Sequence, residues 1–201
     1  MTATQRLVLA TGNAGKVKEF AQLLADYPLE VVPQSQFNVG DVSEDGTTFI
    51  ENAIIKARHA AQITGLPAVA DDSGIEVDAL NGRPGIYSAR YAGEGASAEA
   101  NWQKLLVEMD GKTQRSARFQ CVLVYMRHAD DPSPVIAQAS WEGSITEQPR
   151  GVEGHGYDPV FQVAGDSRSA AELTSDEKNA ASHRGKAMAL LLDGLKAKGI
   201  L

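Results

Sequence analysis

The chain has 201 residues, a formal net charge of −7, 43% hydrophobic and 22% charged residues. That composition is ordinary for a globular domain with ample core. The negative balance argues against a nucleic-acid polymer as the main partner, which needs a dense basic face. A single cysteine, Cys121, excludes an internal disulfide and fits a cytoplasmic location; no apolar run nears the ~20 residues of a membrane helix, and no signal-peptide pattern is expected.

In chain order, Leu7–Ala10 reads as a short buried strand entering a glycine-bearing loop, and Lys16–Tyr27 as a helix with Val17, Phe20, Leu23 and Leu24 on one face. Leu29–Val32 is a second strand, and Pro33–Gly46 is polar and irregular. Thr48 and Glu51 form a capping box for a long helix to about Thr64. Val69 and Ile75–Leu80 read as strand pieces either side of Asp71-Asp72-Ser73-Gly74. Ser97–Met109 is a helix, Arg118–Arg127 a strand, and Val135–Trp141 its hairpin partner. Asp158–Val163 is a further strand. Thr174 and Glu177 make a second capping box, and Ser182 caps a last helix to about Lys198. Early β–α alternation followed by a hairpin predicts a mixed sheet.

Two segments carry chemistry on their own. Thr11-Gly12-Asn13-Ala14-Gly15-Lys16 follows a strand and opens a helix, where free backbone N–H groups and the helix dipole attract phosphate. It is not a Walker A loop, because Val17 stands where Ser or Thr is needed. Asp71 and Asp72 repel each other when desolvated unless a cation or proton resolves the conflict, and Mg²⁺ suits such hard oxygens. Glu44 and Asp45, in a glycine-containing loop, are further acidic candidates.

Five stretches, in order, resemble one family: Leu9-Ala10-Thr11-Gly12-Asn13-Ala14-Gly15-Lys16, Thr47–Ala53 with Lys56-Ala57, Ala70–Gly74, Gly154–Phe161 and Ser182-His183-Arg184-Gly185. The chain is similar, from about Leu7 to Leu192, to the inosine/xanthosine triphosphate pyrophosphatases, in their bacterial branch. The resemblance implies an α/β fold with an elongated mixed central sheet flanked by helices, residues 1–201 forming a single two-lobed domain with the active site in the cleft between the lobes. It implies Mg²⁺, a homodimer, and cleavage of ITP, dITP or XTP to the monophosphate and pyrophosphate.

By the same resemblance, Asp72 is the general base, Lys56 and Arg184 are catalytic, and Glu44, Asp71 and Asp72 bind metal. Thr11, Gly12, Asn13, Ala14, Gly15, Lys16 and Ser73 bind the substrate, with Thr11, Asn13 and Lys16 on the phosphates. His155, Gly156, Tyr157, Asp158, Lys178, Ser182, His183 and Arg184 recognise the base, with aromatic stacking from the loop before Asp158. His155 stands where the family carries Phe. Competing readings are a septum-formation-inhibitor-like nucleotide pyrophosphatase, a nucleotide sensor that does not hydrolyse, and a dinucleotide oxidoreductase. The last lacks a Gly-x-Gly-x-x-Gly turn, and a sensor has no need for a base beside a metal.

Overall fold

The computed structural model describes residues 5–12 and 14–201. Six strands form one sheet in the order β2-β1-β3-β4-β5-β6. They are β1 (Gln5–Leu9), β2 (Leu29–Pro33), β3 (Ala68–Val77), β4 (Ser116–Met126), β5 (Val135–Ile145) and β6 (Phe161–Val163). The helices are α1 (Ala14–Leu23), α2 (Phe49–Thr64), α3 (Ala98–Glu108), α4 (Ser175–Ala181) and α5 (His183–Ala197). β1 runs parallel to β2 and to β3, whereas β6 runs antiparallel to β5, so the sheet is mixed as expected.

The chain divides into two compact units. One comprises residues 1–72, 122–138 and 187–201; the other comprises 73–121 and 139–186. In the first, Leu7, Val8 and Leu9 of β1, Val69 of β3 and Val124 of β4 are buried with Phe20, Leu24, Met188, Leu191 and Leu195. Four of the six buried positions of α2 are alanines (53, 57, 60 and 61), which let the helix axis approach its neighbours closely. In the second unit, Ile75, Val77, Leu105, Met109, Phe119, Trp141 and Phe161 form the core. No helix among the described residues is long and apolar enough to cross a membrane.

Local signals placed several helix ends correctly. Thr48 accepts from the Glu51 amide while the Glu51 carboxylate accepts from the Thr48 amide, and Thr174 with Glu177 does the same. Such caps stabilise by about 1 kcal/mol each. Ser182 closes α4, and its hydroxyl accepts the Gly185 amide at the start of α5.

Two expectations are corrected. The pieces at Val69 and Ile75–Leu80 are one unbroken strand, β3, which carries Asp71 and Asp72 in its middle and gives way at Asp78–Leu80 to a 3-10 turn. The segment Asp158–Val163 starts as a 3-10 turn, with Pro159 near its start, and only Phe161–Val163 is strand.

The turn between β4 and β5 is held by one buried carboxylate. Asp131 accepts from the Arg127 amide, from Arg127 Nε and Nη2, and from the Ser133 amide. The Arg127 guanidinium holds the Asp131 carboxyl well below the usual carboxylate range. A depressed folded-state pKa gives stability that is present above the unfolded value of about 4 and lost as pH falls below it. Asp131→Asn is therefore expected to cost about 2 kcal/mol at pH 7, or about 4–8 °C in Tm for a chain of this size. Thermal melts of both proteins from pH 7 to 3 check this: the gap should hold above pH ~5 and narrow below pH ~4, and a pH-independent gap would contradict the assignment.

Candidate active site

The strand–helix turn after β1 and the middle of β3 meet in the first unit. Side chains alternate between faces along a strand, and the neighbouring carboxylates of β3 accordingly find different cations. Asp71, whose side chain has no exposed surface, is bonded by Lys16 of α1. Asp72 accepts from Lys56 Nζ of α2 at 2.6 Å, and the same ammonium lies 3.3 Å from a Glu44 carboxylate oxygen. The repulsion anticipated from the paired carboxylates is thus answered by ammonium groups from two helices.

The electrostatics follow from burial. Desolvation pushes the Asp72 carboxyl up to about 6; Lys56 opposes this, and the charges of Glu44 and Asp71 add to it. Burial is the largest single influence on the Lys56 ammonium and would lower it, but the charge and hydrogen bond of Asp72, with the charges of Glu44 and Asp71, together outweigh it and the net shift is upward. A carboxylate near 6 stays ionised at neutral pH and is more basic than a free one, which suits proton abstraction.

Thr11, Gly12, Lys16, Glu44, Lys56 and Asp71 help to line a cavity of about 170 Å³, and Asp72 is tied to it through Lys56. Sequence reasoning missed several of its walls: Gln34, Asp41 and His59 also face it. His59 lies three residues after Lys56, and that spacing on a helix was the available signal. Asp45 is engaged locally, accepting from the Ser43 hydroxyl at 2.6 Å. Asn13 lies outside the described residues. Ala14 and Gly15 form the first residues of α1.

Among the described residues no three carboxylate, imidazole or thiolate groups converge as a ready-made metal cluster. The donor chemistry still fits Mg²⁺. The ion takes hard carboxylate oxygens, and it is typically held by one or two of them together with substrate phosphates rather than by an all-protein cage.

The second unit holds the residues expected at the base. Asp158 is buried and accepts from the His155 amide at 2.5 Å and from Lys178 of α4. Gly154 precedes this bond at φ +90°, and a Cβ there would lie 2.4 Å from the Asp158 carboxylate. The glycine is therefore required by both backbone and space. Residues 151–156 are all exposed, so His155 and Gly156 lie on an open loop anchored by Asp158.

Tyr157 differs from expectation. Its ring is 5% exposed and its hydroxyl donates to the Ser88 carbonyl at 2.7 Å, so it anchors the loop to the core instead of offering a face for stacking. A phenol takes this position because a buried O–H needs a partner. Ser88, unremarked in the sequence, also accepts the Ile75 amide and donates to the Gly85 carbonyl, so it ties β3 to the Gly85–Arg90 turn.

His183, at the start of α5, is 8% exposed, and its ring stacks 4.9 Å from Phe119 at 11°. Its orientation is fixed by packing. Arg184 follows in the same helical turn. A Cβ on Gly185 would come 1.9 Å from the Asn179 carbonyl, which explains the glycine that ends the Ser-His-Arg-Gly stretch. Ser73 is half-buried on β3.

A mixed α/β sheet whose central strand carries two lysine-paired carboxylates beside a strand–helix glycine turn defines a phosphate-handling enzyme. The sequence model of the Ham1 family matches residues 7–194, and the chain belongs to that family. A dITP/XTP pyrophosphatase of Shewanella oneidensis is 62% identical over 197 residues, 98% of this chain and 96% of that protein. One from Escherichia coli strain K12 is 58% identical over 194 residues, 96% and 98% respectively. Among solved structures, a HAM1 protein from Coxiella burnetii superposes with a TM-score of 0.93 at 48% identity, covering 96% of this chain and 99% of that one.

Proposed function

We propose that this protein hydrolyses non-standard purine nucleoside triphosphates (ITP, dITP and XTP) between the α- and β-phosphates, giving monophosphate and pyrophosphate and clearing deaminated purines from the nucleotide pool. The observation that carries it is the cavity beside the Thr11–Gly12 turn, lined by Lys16, Lys56 and Asp71, with Asp72 paired to Lys56. Relatives about 60% identical over nearly the whole chain bear the name dITP/XTP pyrophosphatase.

In this reading Thr11 and the N–H groups opening α1 bind phosphate oxygens, and Lys16 and Lys56 neutralise the charge that builds on the triphosphate. Asp72 accepts the proton of the attacking water. Glu44, Asp71 and Asp72 would hold Mg²⁺, which when bound polarises the phosphoryl group and the water. In the second unit His155 stacks on the base. Lys178, His183 and Arg184 supply donors that suit the 6-oxo group of hypoxanthine or xanthine and leave adenine mispaired. Sites that read a substrate by hydrogen bonds reject such analogues strongly.

A pyrophosphate-release assay across the common and deaminated triphosphates, with and without Mg²⁺, tests this. ITP, dITP and XTP should exceed ATP and GTP at least about tenfold in kcat/KM, and turnover should vanish on chelation. Release of orthophosphate with a diphosphate product would overturn the reading. We further propose a cytoplasmic homodimer, C₂ pairs being the commonest assembly. Sedimentation at micromolar concentration should show twice the 21.4 kDa chain mass.

A further inference from the structure

One face of α2 grips the loop that carries Glu44 at three successive points. Asn52, Lys56 and His59 are spaced i, i+4 and i+7, which puts them in one stripe. Asn52 Oδ1 accepts the Gly46 amide at 2.9 Å. Lys56 Nζ lies 3.3 Å from Glu44. His59 Nε2 lies 3.2 Å from the Gly40 carbonyl oxygen. A carbonyl can only accept, so Nε2 carries the proton and His59 donates. The stripe thus reads residues 40–46 along their length, in reverse chain order, with Glu44 between the two backbone grips.

The grips fall on an irregular stretch of chain. Residues 38–46 contain no regular element, and Asn38 enters them in the left-handed region at φ 53°. The Asn52 side chain is 1% exposed, and its Nδ2 has no hydrogen-bond partner while Oδ1 holds Gly46. A buried donor is costly to leave unpaired, so this grip is kept against a local penalty. Lys56 is an ion pair and can exchange partners, which leaves the orientation of Glu44 to the two backbone bonds.

We propose that His59 is a positioning residue for the hydrolysis: through the Gly40 carbonyl it fixes the 40–46 loop on α2, so that Glu44 stands at the cavity within reach of Lys56. This rests on the role given to Glu44 above. Its test therefore reads the loop directly as well as the reaction.

Three variants are compared in the full-length protein. His59→Gln places an amide donor at about the reach of Nε2. His59→Asn keeps the amide but is too short, and His59→Ala removes the donor. Circular dichroism confirms folding in each. Amide hydrogen exchange over residues 40–46, without substrate or metal, should accelerate up to about tenfold in the Ala and Asn variants, the factor that one net hydrogen bond supplies. His59→Gln should stay near wild type. In ITP hydrolysis the same two variants should need more Mg²⁺ for half-maximal rate, with His59→Gln restored. If Ala unfolds, the Asn–Gln pair still decides. Unchanged exchange in the Asn variant, or a Gln variant that behaves like Asn, overturns the proposal. A wild-type protein inactive on ITP would refute the function instead and leave the exchange result standing.

Discussion

Asp72→Asn is expected to lose most turnover, on the order of 10²–10⁴-fold in kcat, the range seen when a general base is removed. The substitution keeps the shape of the side chain and removes both the proton acceptor and one negative charge. The fold should survive. Lys56 still has Glu44 within 3.3 Å, so its ammonium is not left without a counter-charge. KM should change much less than kcat, because the amide still fills the same space. Steady-state kinetics on ITP with a parallel thermal melt checks both parts. Near-normal turnover would mean that another group activates the water.

Lys16→Met is expected to damage stability and activity together. It leaves Asp71, wholly buried, without the ammonium that it faces. Removing one partner of a buried ion pair typically costs about 3–5 kcal/mol, which corresponds to roughly 6–20 °C in Tm for a chain of this length. Substrate binding should weaken as well, since the phosphate-facing charge is gone. The two effects separate in a double variant. Lys16→Met with Asp71→Asn removes both charges and should recover much of the lost Tm without recovering kcat/KM. If the double variant melts as low as the single one, the pair is not what holds that part of the structure.

The features legible in the sequence were the local ones. The boxes Thr48–Glu51 and Thr174–Glu177 each lie within four residues, so their chemistry is complete in a short window. The apolar strands and the amphipathic helices followed from periodicity, although α1 ends at Leu23, short of Tyr27. What failed depended on distant partners. Asp71-Asp72-Ser73-Gly74 reads as a break between two strand pieces because two carboxylates and a glycine disfavour a buried strand. They are tolerated in β3 only because Lys16 and Lys56 arrive from 55 and 16 positions away. Tyr157 reads as a ring for stacking, yet its hydroxyl is claimed by a carbonyl 69 positions earlier. His59 went unread in the sequence because its partner, the Gly40 carbonyl, lies 19 positions away. Motif resemblance supplied roles for residues that periodicity leaves mute, and the structure shows which of them are also structural.

The exposed loop at 151–156 has an evolutionary consequence. Its tip touches solvent, and its grip on the protein runs through Asp158, Lys178 and Tyr157, which lie outside the tip itself. A side chain at position 155 can therefore be exchanged without opening a void in the core or breaking the anchor. The imidazole found there, where the family resemblance leads one to expect a phenyl ring, is the kind of change such an anchor tolerates. If His155 faces the base as proposed, selection on which base is accepted can act at this one position almost independently of selection on whether the chain folds. Lineages facing different mixtures of damaged nucleotides could drift apart in preference through single codon changes, each carrying a negligible folding penalty.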